Sequence, residues 1–156
     1  MVGDGSYLML SGEIATSVQE GARLTVVLLD NHGFKSITDL AGSLGARHGF
    51  NRFRMRDPES GSLGGEFLPI DFAPNAASLG ARVSRAGDRA SLSSALAEAR
   101  RADRTTVVLV ETDFEAQVPG YESWWDVPVA EVSGSESVRD AREEYERNRA
   151  RERWFL

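Results

Sequence analysis

Two strand-to-helix turns constrain the fold of this chain more than any other feature: Gly3-Asp4-Gly5-Ser6 and Asp30-Asn31-His32-Gly33. Twenty-five residues separate Gly5 from Asn31. That length suits one helix followed by a strand that returns beside the first. The run Leu24-Thr25-Val26-Val27-Leu28-Leu29 is nearly all apolar and β-branched, as expected of a strand buried on both faces of a parallel sheet. A βαβ unit of this kind places Asp4 and Asn31 at the ends of neighbouring strands, about 5 Å apart.

A carboxylate and an amide oxygen at that separation can share one hard cation. Magnesium takes oxygen ligands in near-octahedral geometry, drawing a few from protein and the rest from phosphate and water. Asp4 supplies charge and Asn31 a neutral oxygen, and the turn at Gly33 can present a backbone carbonyl, so these three are the expected metal ligands. Gly3 and Gly5 permit close backbone approach, and Ser6 is expected to open a helix whose N–H groups face an anion. Gly3, Asp4, Gly5, Ser6, Asn31 and Gly33 therefore form the expected diphosphate and Mg²⁺ site.

Alternation of elements continues along the chain. Residues 7–20 read as a helix stopped by Gly21, residues 23–30 as a strand, and residues 34–44 as a second helix. Residues 47–68, with four glycines, one proline and alternating charges, read as a long loop. Asp71 caps a short helix to Leu79, with Pro74 tolerated in its first turn. A short strand over 81–84, an alanine-rich helix over 91–101 and a buried strand over 105–111 follow. Strands alternating with helices predict an α/β fold, a parallel sheet flanked by helices. Residues 118–132 are irregular and aromatic, and 135–153 form a charged helix with acids and arginines in balance, read as a solvated surface laced by i,i+4 pairs.

With 156 residues the chain suits one domain with a sizeable core. A net charge of −6 argues against nucleic acid as a partner. Lys35 is its only lysine, a bias we read as genome composition. The absence of cysteine excludes disulfides and thiolate metal sites. The longest purely aliphatic stretch, 26–29, is far too short to span a bilayer, and the N-terminus has neither a cationic region nor an apolar core. A cytoplasmic protein without membrane contact is the expectation. Only Met1 and Val2 precede Gly3, so the first strand is short, and a C-terminal fragment of a longer protein is expected.

Gly-Asp-Gly followed after some 25 residues by Asn resembles the signature of thiamine-diphosphate enzymes, where the usual ending is Asn-Asn and this chain has Asp30-Asn31. The segments Pro69-Ile70-Asp71-Phe72-Ala73 and Ser78-Leu79-Gly80-Ala81, with the tail from Pro119 through Trp124-Trp125 to Val132, resemble the trihydroxycyclohexane-1,2-dione hydrolases of inositol catabolism. That resemblance covers nearly the whole chain. It implies thiamine diphosphate and Mg²⁺ as cofactors, a cyclic polyol dione as substrate, C–C bond hydrolysis to a ring-opened acid, and a homodimeric or homotetrameric parent enzyme. In the family the glutamate that activates the cofactor comes from another domain, so the catalytic residues are unknown here and the chain alone is expected to be inactive. An acetolactate-synthase-like carboligase or decarboxylase, and a non-catalytic diphosphate-binding module, are the alternatives.

Residues 1–132 are read as the cofactor-binding domain and 133–156 as a charged tail. Glu13, about two turns into the expected helix, is read as structural. His32 lies where it can approach phosphate or substrate, but His32 and His48 are too far apart in sequence to make a metal signature. Trp124 and Trp125 cannot both face one side of a strand, so at least one is expected to pack against another domain or subunit, or to close over the site.

Overall fold

The computed structural model describes residues 1–46, 51–116 and 126–153. Four parallel strands form one sheet in the order β1-β2-β4-β3: β1 (Val2–Gly3), β2 (Thr25–Asp30), β3 (Arg82–Arg85) and β4 (Thr106–Glu111). The α/β expectation holds. β2 and β4 pair along their full length, from Thr25 opposite Thr106 to Asp30 opposite Glu111. β1 sets Val2 against Leu28 and Gly3 against Leu29. Because every strand is parallel, Gly3, Asp30, Glu111 and Arg85 all reach the carboxyl edge of the sheet, where open α/β sheets hold their ligands.

Side chains alternate across β4. Val107 and Leu109 join Leu28 of β2 in a core with Tyr7, Ile14, Phe72, Ala76 and Ala81. Val108 faces the other way and packs on Ala86 and Ala95. The helices that cover these faces are α1 (Asp4–Leu10), α2 (Glu13–Gln19), α4 (Phe72–Ser78) and α5 (Arg89–Ala99), with α3 (Lys35–Ser43) following β2. Asp71 accepts from the Ala73 amide at 3.2 Å, the expected cap of α4. Asp88 and Ser91 make a reciprocal capping box on α5, which therefore starts two residues before the sequence suggests.

One expectation is corrected at the first helix. Residues 7–20 are not a single helix opened by Ser6: α1 begins at Asp4 with the extended Gly3 as its N-cap, and Ser6 lies on the exposed side of the first turn. The chain then breaks at Ser11-Gly12. Ile14 N–H donates to the Ser11 carbonyl and Ala15 N–H to the Gly12 carbonyl, three-residue closures in place of four. Such a tightening falls at a glycine because the helix is weakest there. Glu13 opens α2 on its exposed side.

Residues 51–68 contain no named strand, as a loop should, yet they fold back on themselves. Met55 N–H donates to the Glu66 carbonyl and Leu68 N–H to the Phe53 carbonyl, and bridges pair Arg54 with Phe67 and Gly33 with Arg52. The result is a hairpin-like arm lying on the second turn of the expected site. The charged helix is α6 (Glu136–Arg149), shorter than expected. Tyr145 is buried and donates to Asp126, Arg142 donates to the Val129 carbonyl, and Ser137 donates to the Gly45 carbonyl. This helix is thus anchored along one side and not merely solvated. His48 and the Trp124-Trp125 pair lie outside the described residues.

Candidate functional site

Asp4 is completely buried at the end of β1. Its carboxylate accepts three backbone amides: Gly5 N–H at 2.7 Å on Oδ1, and Asn31 N–H at 3.2 Å and Gly33 N–H at 3.0 Å on Oδ2. One side chain thereby staples the two turns together, and the expected juxtaposition of Asp4 and Asn31 is present. The side-chain oxygen of Asn31 is also buried, but it has no hydrogen-bond partner among the described residues. A buried amide oxygen without a donor is costly. A cation bound there would remove that cost.

Gly33 is required by its surroundings. It has φ +152, and a Cβ there would lie 2.3 Å from the Asn51 carbonyl oxygen and 2.8 Å from Arg52 Cα. The bonds flanking this contact run from Phe34 N–H to the Asn51 carbonyl and from Phe53 N–H to the His32 carbonyl, so the Gly33 carbonyl is outside the pairing. Gly3 and Gly5 differ in environment. A Cβ on Gly3 would meet nothing within 4 Å, whereas on Gly5 it would strike the Phe34 ring at 2.4 Å. Gly5 is therefore small to seat Phe34, and open approach to backbone exists at Gly3.

His32 adopts φ +58, an uncommon conformation for a residue with a side chain. Its amide donates to Asp30 Oδ1 at 3.2 Å, its ring Nδ1 lies 3.3 Å from the same oxygen, and its ring stacks at 4.8 Å on Phe67. Burial raises the Asp30 carboxyl above its ordinary range; the His32 amide and imidazole oppose the shift, and the Asp4 charge adds to it. A cavity of about 370 Å³ opens beside them, bordered by Arg85 and Glu111.

Every potential ligand in this arrangement is oxygen: the Asp4 carboxylate, the Asn31 amide and the Gly33 carbonyl. Among the described residues no group of three or more His, Cys, Asp and Glu could hold a metal. A soft metal therefore has no cluster here, while a hard cation that shares its shell with phosphate needs only this oxygen set. The arm over 51–68 is apparent only in the folded chain. Its only local signal was Gly33, whose partner residues lie about twenty positions downstream.

The pattern of the family described as thiamine pyrophosphate enzyme, C-terminal TPP binding domain, matches residues 1–111. Among curated proteins, the 3D-(3,5/4)-trihydroxycyclohexane-1,2-dione hydrolase of Clostridium botulinum is 41% identical over 141 residues, 90% of this chain and 22% of that protein. A hydrolase of the same name from Bacillus cereus is 41% identical over 143 residues, 92% of this chain and 22% of that protein. The chain thus spans about a fifth of the length of these relatives. Two solved structures share the fold. The thiamine diphosphate-dependent 4-hydroxybenzoylformate decarboxylase of Rhodococcus jostii aligns with a TM-score of 0.58 and 21% identity, covering 73% of this chain and 19% of the decarboxylase. The benzoylformate decarboxylase of Polynucleobacter necessarius gives 0.58 and 21%, covering 74% and 19%.

Proposed function

The chain belongs to the thiamine pyrophosphate enzymes through their C-terminal TPP-binding domain, and from that premise we propose that it is the diphosphate- and Mg²⁺-binding part of a hydrolase that opens a cyclic 1,2-dione. The observation that carries the reading is the buried Asn31 oxygen without a donor, held beside the buried Asp4 carboxylate. In this reading Asp4, Asn31 and the Gly33 carbonyl hold Mg²⁺. Gly3, Gly5 and Ser6 line the diphosphate, with Gly3 offering the open approach and Gly5 acting through the Phe34 ring it seats. Thiamine diphosphate, when bound, supplies the nucleophilic carbon for C–C bond cleavage next to a carbonyl.

The chain's own residues do the positioning. Asp4 fixes both turns through three amides, so the metal ligands are ordered before any ligand arrives. The Phe34 and Phe53 rings, edge to face at 5.9 Å, form an apolar wall behind Gly5. Residues 1–132 would bind the cofactor, with 133–156 as a tail anchored by Tyr145 and Arg142. The cyclic polyol dione as substrate, inositol catabolism as setting, the cytoplasm as location and a homodimer or homotetramer as assembly all belong to this proposal. The substrate and its catabolic setting are supported by the names of relatives at about two-fifths identity; location and assembly follow only from the resemblance. Among the described residues no helix is long and apolar enough to cross a membrane.

The test is calorimetric titration of the full-length enzyme with thiamine diphosphate, with and without Mg²⁺. Affinity is expected to depend on Mg²⁺ and to collapse in Asp4→Ala. Equal binding without metal, or unchanged binding in the variant, would refute the assignment. Product analysis on a cyclic 1,2-dione against pyruvate separates the hydrolase from a carboligase.

A further inference from the structure

A second cleft lies on the far side of Gly33, between α3 and the arm over 51–68. It encloses about 390 Å³ and is lined by Lys35, Thr38, Asp39, Ser43, Arg52 and Phe114, with Glu115 at its rim. Its centre is a guanidinium in an unusual state. Arg52 is 13% exposed, and its guanidinium carbon sits 3.5 Å from the Phe114 ring centroid and 5.6 Å from that of Phe67. Nη2 donates to Glu115 Oε1 at 3.1 Å. Nε is buried and has no hydrogen-bond partner among the described residues.

The Nε and Nη2 hydrogens of an arginine form one edge that matches the two oxygens of a carboxylate. Here that edge is half used. Glu115 fills one position with one oxygen, and it is 81% exposed, so the pair is well screened and its acid leaves at little cost. The neighbouring cation is not available to an anion: Lys35 Nζ is bound by both oxygens of Asp39 at 2.8 Å. Once Glu115 swings away, Arg52 is the uncompensated positive charge among the described residues that line the cleft. One negative charge therefore fits, whereas a dianionic phosphate would add excess charge beside Asp39. Thr38, Ser43 and Asp39 supply the remaining wall with oxygens able to accept hydrogen bonds from hydroxyl groups.

We propose that this cleft binds a small hydroxylated monocarboxylate, its carboxylate bidentate on Nε and Nη2 of Arg52, and that Glu115 is a built-in plug the ligand displaces. None of these residues is among the proposed cofactor or metal ligands. The inference stands whether or not the thiamine-diphosphate assignment does.

The experiment is calorimetric titration of the full-length enzyme, without added cofactor or metal, with sodium gluconate, sorbitol and inorganic phosphate in turn. Gluconate should bind saturably, sorbitol should not, and phosphate should bind more weakly than gluconate. Glu115→Gln should tighten gluconate severalfold, because the competing anion is gone. Arg52→Lys keeps the charge but loses the fork, and should weaken it by about tenfold. Arg101→Gln, at an exposed arginine elsewhere, should change nothing. Thermal melting of each variant accompanies the titrations, and Glu115→Gln alters only an exposed side chain, so it tests the plug even if Arg52→Lys fails to fold. Absence of gluconate binding, unchanged affinity in Glu115→Gln, equal loss in Arg101→Gln, or tighter binding of phosphate would each overturn the proposal.

Discussion

At the scale of single residues, Asp4 and Asn31 have different duties although both are proposed metal ligands. Asp4 satisfies three backbone amides, so its removal strands them as well as removing a charge. Asp4→Ala is expected to lower stability by about 3 kcal/mol, since each buried donor left unpaired costs about 1 kcal/mol or more. The Asn31 side-chain oxygen accepts nothing in the described structure. Asn31→Ala should therefore leave the melting temperature of the metal-free protein unchanged or slightly raised while abolishing Mg²⁺-dependent cofactor binding. Thermal melts of both variants beside cofactor titration of the full-length enzyme check this contrast. A large stability loss in Asn31→Ala would make the residue a turn former only. Asn31→Asp should bind cofactor more weakly despite its shape, because it adds charge next to Asp4 and the phosphates.

At the scale of elements, the helices are held by polar joints as much as by apolar faces. Thr105 is fully buried at the entry to β4. Its hydroxyl donates to the Ala22 carbonyl at 3.2 Å, accepts from Leu24 N–H at 3.1 Å, and lies 2.7 Å from the Ser17 hydroxyl. That one side chain joins α2, the turn before β2 and the start of β4. Thr105→Val keeps the shape and removes the joint, at an expected cost of about 2 kcal/mol measurable by denaturant unfolding. The start of α5 carries a pH dependence. The Ser91 amide and hydroxyl hold the Asp88 carboxyl below its usual range. A folded-state pKa below the unfolded one stabilises the fold at higher pH, and that contribution is lost as pH falls through the folded value. Amide protection factors at the first turn of α5 should fall below about pH 4, the ordinary carboxylate range, and in Asp88→Asn this acid-dependent change should be absent.

At the scale of the whole molecule, the sheet gathers both glycine turns on one edge, and the arm over 51–68 closes against them. In the proposed function the described residues would hold a diphosphate and its metal. No residue among them is assigned to the other end of the cofactor, or to its activation. The 156-residue chain assayed alone is therefore expected to show no loss of a cyclic 1,2-dione and only weak retention of cofactor. Side-by-side assay with the full-length enzyme is the measurement, and robust turnover by the chain alone would contradict it.

The βαβ spacing, the buried strands and the pairing of Asp4 with Asn31 were legible in the sequence because each is written in a contiguous pattern: an apolar run, a glycine, a polar residue at a strand end. The helix break at Ser11-Gly12 was less so, since a single glycine inside a helical pattern is compatible with either continuity or a kink until packing decides. The Phe34 ring against Gly5, the Asn51 carbonyl against Gly33 and the caging of Arg52 by Phe67 and Phe114 join residues far apart in the chain. No local pattern encodes such contacts. Residue type and spacing thus limit which oxygens are proposed to ligate a cation, whereas packing alone leaves the Asn31 oxygen and the Arg52 Nε buried without partners among the described residues, because burial is a property of what the rest of the chain packs around them.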